Sequence, residues 1–290
     1  MTPIDVTLFT DPGCPWAYSA SPALHVLRWR YGDALRWRTV VIGLTETARD
    51  YERRGYTALG MAQGHRRFRR YGMPFAPAPK ARVAGTGRAC RAIVATRLRD
   101  PEREGAVVRA LQFAWFTTPL VLDEDPAIAE ALAGVDGLDA GAVLAALDDP
   151  EVWEAYERDR AETRRAEGTA AESQGKTATT DGPVRFTAPT LLIGANGTAL
   201  VAGGWQPLEA YDALVMNLDP GLERLPPPED PLPALERFRG GLTTQEVAAL
   251  LAAGPSGPDR DAAEDALMGL AAEGRVTRTP LGDDALWRAA

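Results

Sequence analysis

Two cysteines, Cys14 and Cys90, and two histidines, His25 and His65, are the side chains best suited to covalent or proton-transfer chemistry at neutral pH. Cys14 stands in Asp11-Pro12-Gly13-Cys14-Pro15-Trp16-Ala17-Tyr18, where a strand-like run gives way to a helical one. The first amides of a helix lack internal partners, and the helix dipole is positive at that end. A thiol placed there is expected to ionise more readily than a free thiol, whose pKa is ~8.5. The thiolate is the species that attacks disulfides and electrophiles. The competing expectation is an inert cysteine buried at a strand end.

The other three residues carry weaker signals. Cys90 falls on a helical segment over residues 88–99, and it reads as a plain buried helix cysteine. It could resolve Cys14 only if their Cα atoms came within ~7 Å. His25 follows Cys14 by about three helical turns, roughly 16 Å along the axis, too far to act as its base. A structural role is expected. His65 adjoins Arg66-Arg67-Phe68-Arg69-Arg70 and is expected to face solvent, with contact to an anionic ligand as the functional alternative. These residues make no zinc site, and the chain has no phosphate loop or dinucleotide fingerprint.

The elements that must position Cys14 can be read from periodicity. Residues 4–10 form a β-branched strand, 11–13 a turn, and 15–31 a helix with Pro15 at its first position. A second strand over 35–44 completes a β-α-β unit. Residues 45–175 hold no convincing strand; helical periodicity recurs over 88–99, 104–116, 127–132, 140–147 and 151–165. Strands return at 190–193 and 198–201, joined by Gly194-Ala195-Asn196-Gly197, and a helix spans 207–218. Gly203-Gly204-Trp205 reads as a turn, and its indole could also flank a thiol pocket.

These signals predict an α/β fold with four parts. One domain comes from residues 1–44 and 176–218, interrupted by a helical insertion over 45–175. The six prolines of residues 219–235 mark a semi-rigid linker. Residues 236–290 suggest a winged-helix-like module, with Thr243 or Thr244 capping a helix through 252, a helix over 261–273 and a hairpin over 275–288.

Charge is unevenly spread. Residues 49–99 carry 13 Arg or Lys against Asp50 and Glu52, while the whole chain has a net charge of −8. Either this basic stretch receives an anion, or it balances acidic helices elsewhere. Residues 242–290 hold four Arg against eight acids. Such a balance repels a phosphate backbone, so no nucleic acid is expected; packing or a homodimer contact is the expected role. Two cysteines exclude a disulfide framework. The first residues lack the basic and apolar regions of a secretory leader, and no apolar run approaches the ~18–20 residues needed to span a bilayer. A cytoplasmic, membrane-free protein is expected.

Cys14-Pro15-Trp16 after the first strand of a β-α-β unit resembles the DsbA-like branch of the thioredoxin superfamily. That branch includes cytoplasmic dithiol isomerase-like proteins, 2-hydroxychromene-2-carboxylate isomerases and kappa-class glutathione transferases. The likeness covers about residues 3–218 and includes the helical insertion. It also includes Thr187-Ala188-Pro189-Thr190, which is similar to the family's cis-proline loop. The resemblance implies a thioredoxin-like fold with Cys14 and Pro189 as catalytic residues. Pro15, Trp16, Ala17, Thr187 and Ala188 would then contact substrate.

One departure matters: Ala17 occupies the place of the second cysteine in the family's Cys-Pro-Trp-Cys motif. A monothiol can still form a mixed disulfide that a second thiol releases. The resemblance therefore implies a single-cysteine oxidoreductase working with a small thiol or disulfide, with no tightly bound cofactor. The alternatives are a thiol-dependent isomerase or transferase, and a non-catalytic interaction protein that kept the fold. The Arg-for-Lys bias, 30 against two, with abundant Ala and Gly, hints at a GC-rich genome and hence at mycothiol. Glutathione is the other candidate.

Overall fold

The structure, a computed structural model, describes residues 3–76, 78–195, 197–253 and 257–290. The first part runs β1 (Ile4–Thr10), α1 (Pro15–Ser19), α2 (Ser21–Tyr31) and β2 (Leu35–Val41). One continuous helix was expected over 15–31. Pro22, which has no N–H to donate to the preceding turn, divides it into α1 and α2. β2 stops at Val41, short of the expected residue 44, because Gly43 turns the chain with a positive φ of 62°.

The insertion is helical, as expected. It comprises α3 (Ala48–Arg53), α4 (Ala58–Phe68), α5 (Gly87–Arg99), α6 (Glu104–Thr117), α7 (Asp125–Leu132), α8 (Ala140–Ala145), α9 (Pro150–Thr163) and α10 (Ala170–Ser173). The sequence reading located α5 to α9 to within about two residues and missed the other three. After it come β3 (Thr177–Ala178), β4 (Arg185–Phe186), β5 (Thr190–Ala195), β6 (Thr198–Gly203) and α11 (Leu208–Leu218). β5 and β6 pair antiparallel with Ala195 opposite Thr198; Asn196 of the expected hairpin turn lies outside the described residues.

The main sheet has the order β2-β1-β5-β6, with β1 parallel to β2 and antiparallel to β5. β1 is therefore central, and alternation along it feeds two cores. Ile4, Val6 and Leu8 pack with Leu24, Leu27 and Tyr31 of α2 and with Tyr211 and Val215 of α11. Phe9 points the other way and joins Cys14, Val40, Ile42, Phe186 and Ala188. A third core lies within the insertion, built on α5 to α9. Several basic residues of the 49–99 stretch meet acids from other parts of the chain. Arg82 pairs with Asp123, Arg88 with Asp125, Arg91 with Glu46, Arg97 with Asp159 and Arg99 with Asp149.

The last part is α12 (Pro231–Arg237), β7 (Leu242–Thr243), α13 (Thr244–Leu251), α14 (Arg260–Ala272), β8 (Val276–Leu281) and β9 (Asp284–Ala289), with a small sheet β7-β9-β8. Part of the stretch read as a linker is thus helical, since α12 begins at Pro231. Asp230 caps it, and proline is well tolerated in a helix's first turn. Thr243 caps α13 through a capping box with Glu246. Glu246 is fully buried. It takes two hydrogen bonds from Arg109 of α6 (2.6 and 2.5 Å), one from Ser21 of α2 (2.5 Å) and one from the Thr243 N–H (2.8 Å). A single carboxylate therefore ties this module to both the insertion and the sheet domain. Arg109 and the hydrogen bonds outweigh desolvation and hold its pKa well below the usual range.

His25 belongs to the same junction. Its Nδ1 lies 2.9 Å from the Ser21 carbonyl and 3.4 Å from Glu246, so the structural role expected of it is the one seen. Burial drives its pKa down to about 4, against the pull of Glu246. His65 differs from expectation. Its ring packs on Phe116 (5.1 Å) instead of facing water, and burial also drives it to about 4. Between pH 6.5 and 4 the unfolded chain binds protons that these imidazoles refuse in the fold. Their contribution is thus complete above the unfolded pKa and is lost as pH falls towards 4. His25 alone should cost on the order of 3 kcal/mol across that window. Urea unfolding at pH 7.5 and pH 4.5 checks this; equal stability at the two would refute it.

Candidate functional site

Cys14 is the N-cap of α1, in extended backbone conformation (φ −89°, ψ 112°), with Pro15 in the first turn. Asp11 shapes the loop that delivers it. This carboxylate is fully buried; one oxygen accepts from the Gly13 N–H (2.9 Å), the other from the Leu44 N–H (2.8 Å) and the Thr86 hydroxyl (3.1 Å). The Cys90 thiol donates to it as well, at 3.6 Å. Burial raises the Asp11 pKa, with these hydrogen bonds opposing. Gly13 is required by contact: a Cβ there would lie 2.7 Å from Thr86 and 3.0 Å from Trp115.

The Ala188–Pro189 peptide bond is cis. It brings Ala188 against Cys14, whose Sγ donates to the Ala188 carbonyl at 3.2 Å. The sequence thus located both halves of this contact, 174 positions apart. Thr187 anchors the same loop, its hydroxyl donating to the Lys176 carbonyl at 3.0 Å.

The expectation of a ready thiolate is corrected here. Cys14 is 6% exposed, and its pKa is pushed up to about 12. Burial is the largest cause, and the charge of Asp11 adds to it. The N–H groups of Ala17 and Trp16 and the charge of Arg185 oppose it. The helix start does stabilise negative charge as the sequence implied, but desolvation of the sulfur outweighs it. The resting residue is a thiol.

Beside it lies a cavity of about 320 Å³ lined by Trp16, Tyr71, Lys176, Thr187, Ala188, Gly204 and Trp205. Trp16 is 39% exposed and forms its apolar wall with Tyr71 (5.4 Å between ring centroids) and Trp205 (6.3 Å). Lys176 brings a positive charge, its stem packed on Gly203 and Gly204. Trp205 therefore flanks the thiol pocket, the second of its two expected readings. Ala17 is buried on α1 and does not line this cavity; Pro15 is half-buried at the start of the helix.

Sequence reasoning passed over Asp11, Tyr71 and Lys176 as site residues. Asp11 carried a signal, since an Asp two residues before an amide at a turn forms an Asx-turn, but its burial is a tertiary fact. Tyr71 ends a 3-10 turn and Lys176 lies in a loop, and no local pattern reveals that either reaches the site. Among the described residues no cluster of His, Cys, Asp and Glu could hold a metal, and no helix is long and apolar enough to cross a membrane.

Comparison with known proteins bears on the family and the fold. No curated protein matches the chain. Among solved structures, the cytosolic disulfide reductase DsbM of Pseudomonas aeruginosa, solved with GSH, is 19% identical; the match covers 74% of this chain and all of that one, with a TM-score of 0.51. The probable DsbA oxidoreductase of Streptomyces coelicolor is 16% identical over 88% of this chain and 98% of its own, with a TM-score of 0.54. At such identities the likeness is one of fold. The model of the DSBA-like thioredoxin domain matches residues 5–169, more than half of the sequence and the part that carries Cys14. The chain belongs to the DSBA-like thioredoxin domain family.

Proposed function

We propose that the chain is a cytoplasmic thiol–disulfide oxidoreductase that works through Cys14 alone, exchanging mixed disulfides with a low-molecular-weight thiol such as glutathione or mycothiol. The observation that carries this reading is the Cys14 Sγ held 3.2 Å from the Ala188 carbonyl beside a cavity of small-molecule size, with Ala17 where a second thiol would stand. DsbM, a fold neighbour described as a cytosolic disulfide reductase and solved with GSH, supports both the compartment and the class of thiol. Lys176 suits a thiol that carries a carboxylate.

Exchange proceeds in two balanced steps. Substrate entering the cavity displaces the Ala188 carbonyl from the thiol, and the proton leaves to water. The exposed thiolate, now facing the N–H groups of Ala17 and Trp16, attacks one sulfur of the disulfide. The S–S bond breaks, Cys14 retains one half as a mixed disulfide, and the other half departs and takes up a proton. A second small thiolate then attacks the mixed disulfide, forms a new small disulfide and returns Cys14 to the thiol.

Incubation of the purified protein with glutathione disulfide, followed by intact-mass spectrometry and peptide mapping, tests the reading. One glutathione adduct on Cys14, removed by added reduced glutathione, is expected. Absence of any adduct on Cys14, with glutathione disulfide and with the mycothiol disulfide alike, would overturn it.

One observation favours a second reading. A protonated, buried Cys14 suits a thiol-dependent isomerase or transferase, in which the helix start receives the sulfur of a small-thiol cofactor instead.

A further inference from the structure

We propose that the C-terminal module is a working part of the thiol site: it positions the Tyr71 wall and thereby restricts Cys14 to small thiols and disulfides. The inference rests on the reading of Cys14 as the reactive residue. The module lies outside residues 5–169, which the family model matches.

Tyr71 ends a short 3-10 turn, Arg69–Tyr71, that follows α4. Its ring touches both other aromatics of the cavity, Trp16 and Trp205, the latter at 5.1 Å between centroids. Phe68 (5.9 Å between centroids) and Arg70, which donates to the Tyr71 hydroxyl at 2.9 Å, contact the ring locally, but residues 72–76, which follow it, form no helix or strand. The module supplies the constraint. Asp283, at the tip of the β8–β9 hairpin, accepts from the Phe75 N–H (2.7 Å) and from Arg69, and returns its own N–H to the Phe75 carbonyl (3.1 Å). Arg260, the first residue of α14, donates to the Gly72 carbonyl at 2.7 Å and pairs with Asp284 at 3.0 Å. Thr243 approaches the Met73 sulfur at 3.5 Å.

The packing is as close as the hydrogen bonding. Gly72 has φ +85°, and a Cβ there would lie 2.0 Å from Gln245 of α13. From the opposite side the Tyr18 hydroxyl donates to the Pro74 carbonyl at 2.9 Å. The segment that carries Tyr71 is thus clamped between the active-site helix and the module. Asp283 and Arg260 touch neither Cys14 nor the cavity; they act through Tyr71 and are positioning residues.

Releasing the clamp should let the wall leave Trp16 and expose Cys14, above all to large reagents. The test uses full-length Asp283→Ala and Arg260→Ala proteins, with Asp283→Asn as the conservative variant that keeps an acceptor for the Phe75 N–H. Alkylation of Cys14 and Cys90 is followed by peptide mass spectrometry, with iodoacetamide as the small reagent and a polyethylene-glycol maleimide as the large one. Loss of charge-assisted hydrogen bonds of this kind should raise the Cys14 rate about tenfold, more with the large reagent than with the small, while Cys90 stays protected. Asp283→Asn should restore most of the protection. Unchanged Cys14 rates in both alanine variants would overturn the proposal, and so would Cys14 and Cys90 rising together, which marks general loosening. Should the Asp283 variant not fold, the Arg260 variant decides alone. Cys14 that opens selectively yet forms no mixed disulfide would refute the proposed activity and leave this role standing; adduct formation with unaltered alkylation would do the reverse.

Discussion

Replacing Cys14 with serine is expected to lower disulfide-exchange turnover by ~10³-fold or more, because a hydroxyl neither attacks sulfur nor forms a stable mixed bond with it. The fold should be untouched. Serine is among the preferred N-cap residues, and Cys14 holds that position with extended backbone angles. Its hydroxyl can replace the thiol as donor to the Ala188 carbonyl. Thermal unfolding should therefore shift little while turnover of glutathione disulfide disappears. Full turnover of an electrophilic substrate by the serine protein, with added small thiol, would move the assignment to the isomerase or transferase type. There the cofactor brings its own sulfur.

The second large effect concerns the junction at Glu246. Changing it to leucine removes the carboxylate partner of Arg109, whose side chain is only 17% exposed, and takes an acceptor from Ser21 and from the Thr243 N–H. Breaking a buried ion pair from one side typically costs ~3–5 kcal/mol, because the remaining charge stays desolvated and unpaired. Urea unfolding at pH 7.5 should show that loss in Glu246→Leu. Removing Arg109 as well should recover part of it, which separates the stranded charge from lost packing. A loss below about 1 kcal/mol would mean that water reaches Arg109 and that the network contributes little.

Much of the fold could be read from the chain because its signals are local. The strand, turn and capped helix around Cys14 each follow from residue type, and the helices α5 to α9 from apolar spacing. The proline of the Thr187–Thr190 loop is placed by the family resemblance, not by a local signal. What stayed hidden depended on tertiary context. α4 contains Gly60 and Gly64, which weaken its intrinsic signal, and it persists through its Thr57 cap and its packing. The ionisation of Cys14 was misjudged because the helix-start effect can be read locally, whereas burial to 6% exposure depends on the whole fold. His65 seemed solvent-facing beside five charged or aromatic neighbours, yet its own face of α4 turns towards Phe116. Within the basic stretch of residues 49–99, the arginines from Arg82 to Arg99 find acids at residues 46 and 123–159, which lie outside the stretch.

Asp11 has a consequence for how the molecule comes apart. One carboxylate group joins the loop before α1, the segment after β2, and the threonine and cysteine at the start of α5. None of the three can peel away without leaving that carboxylate short of a donor in a dry interior. The sheet edge and the helical layer are thereby expected to open together around this carboxylate.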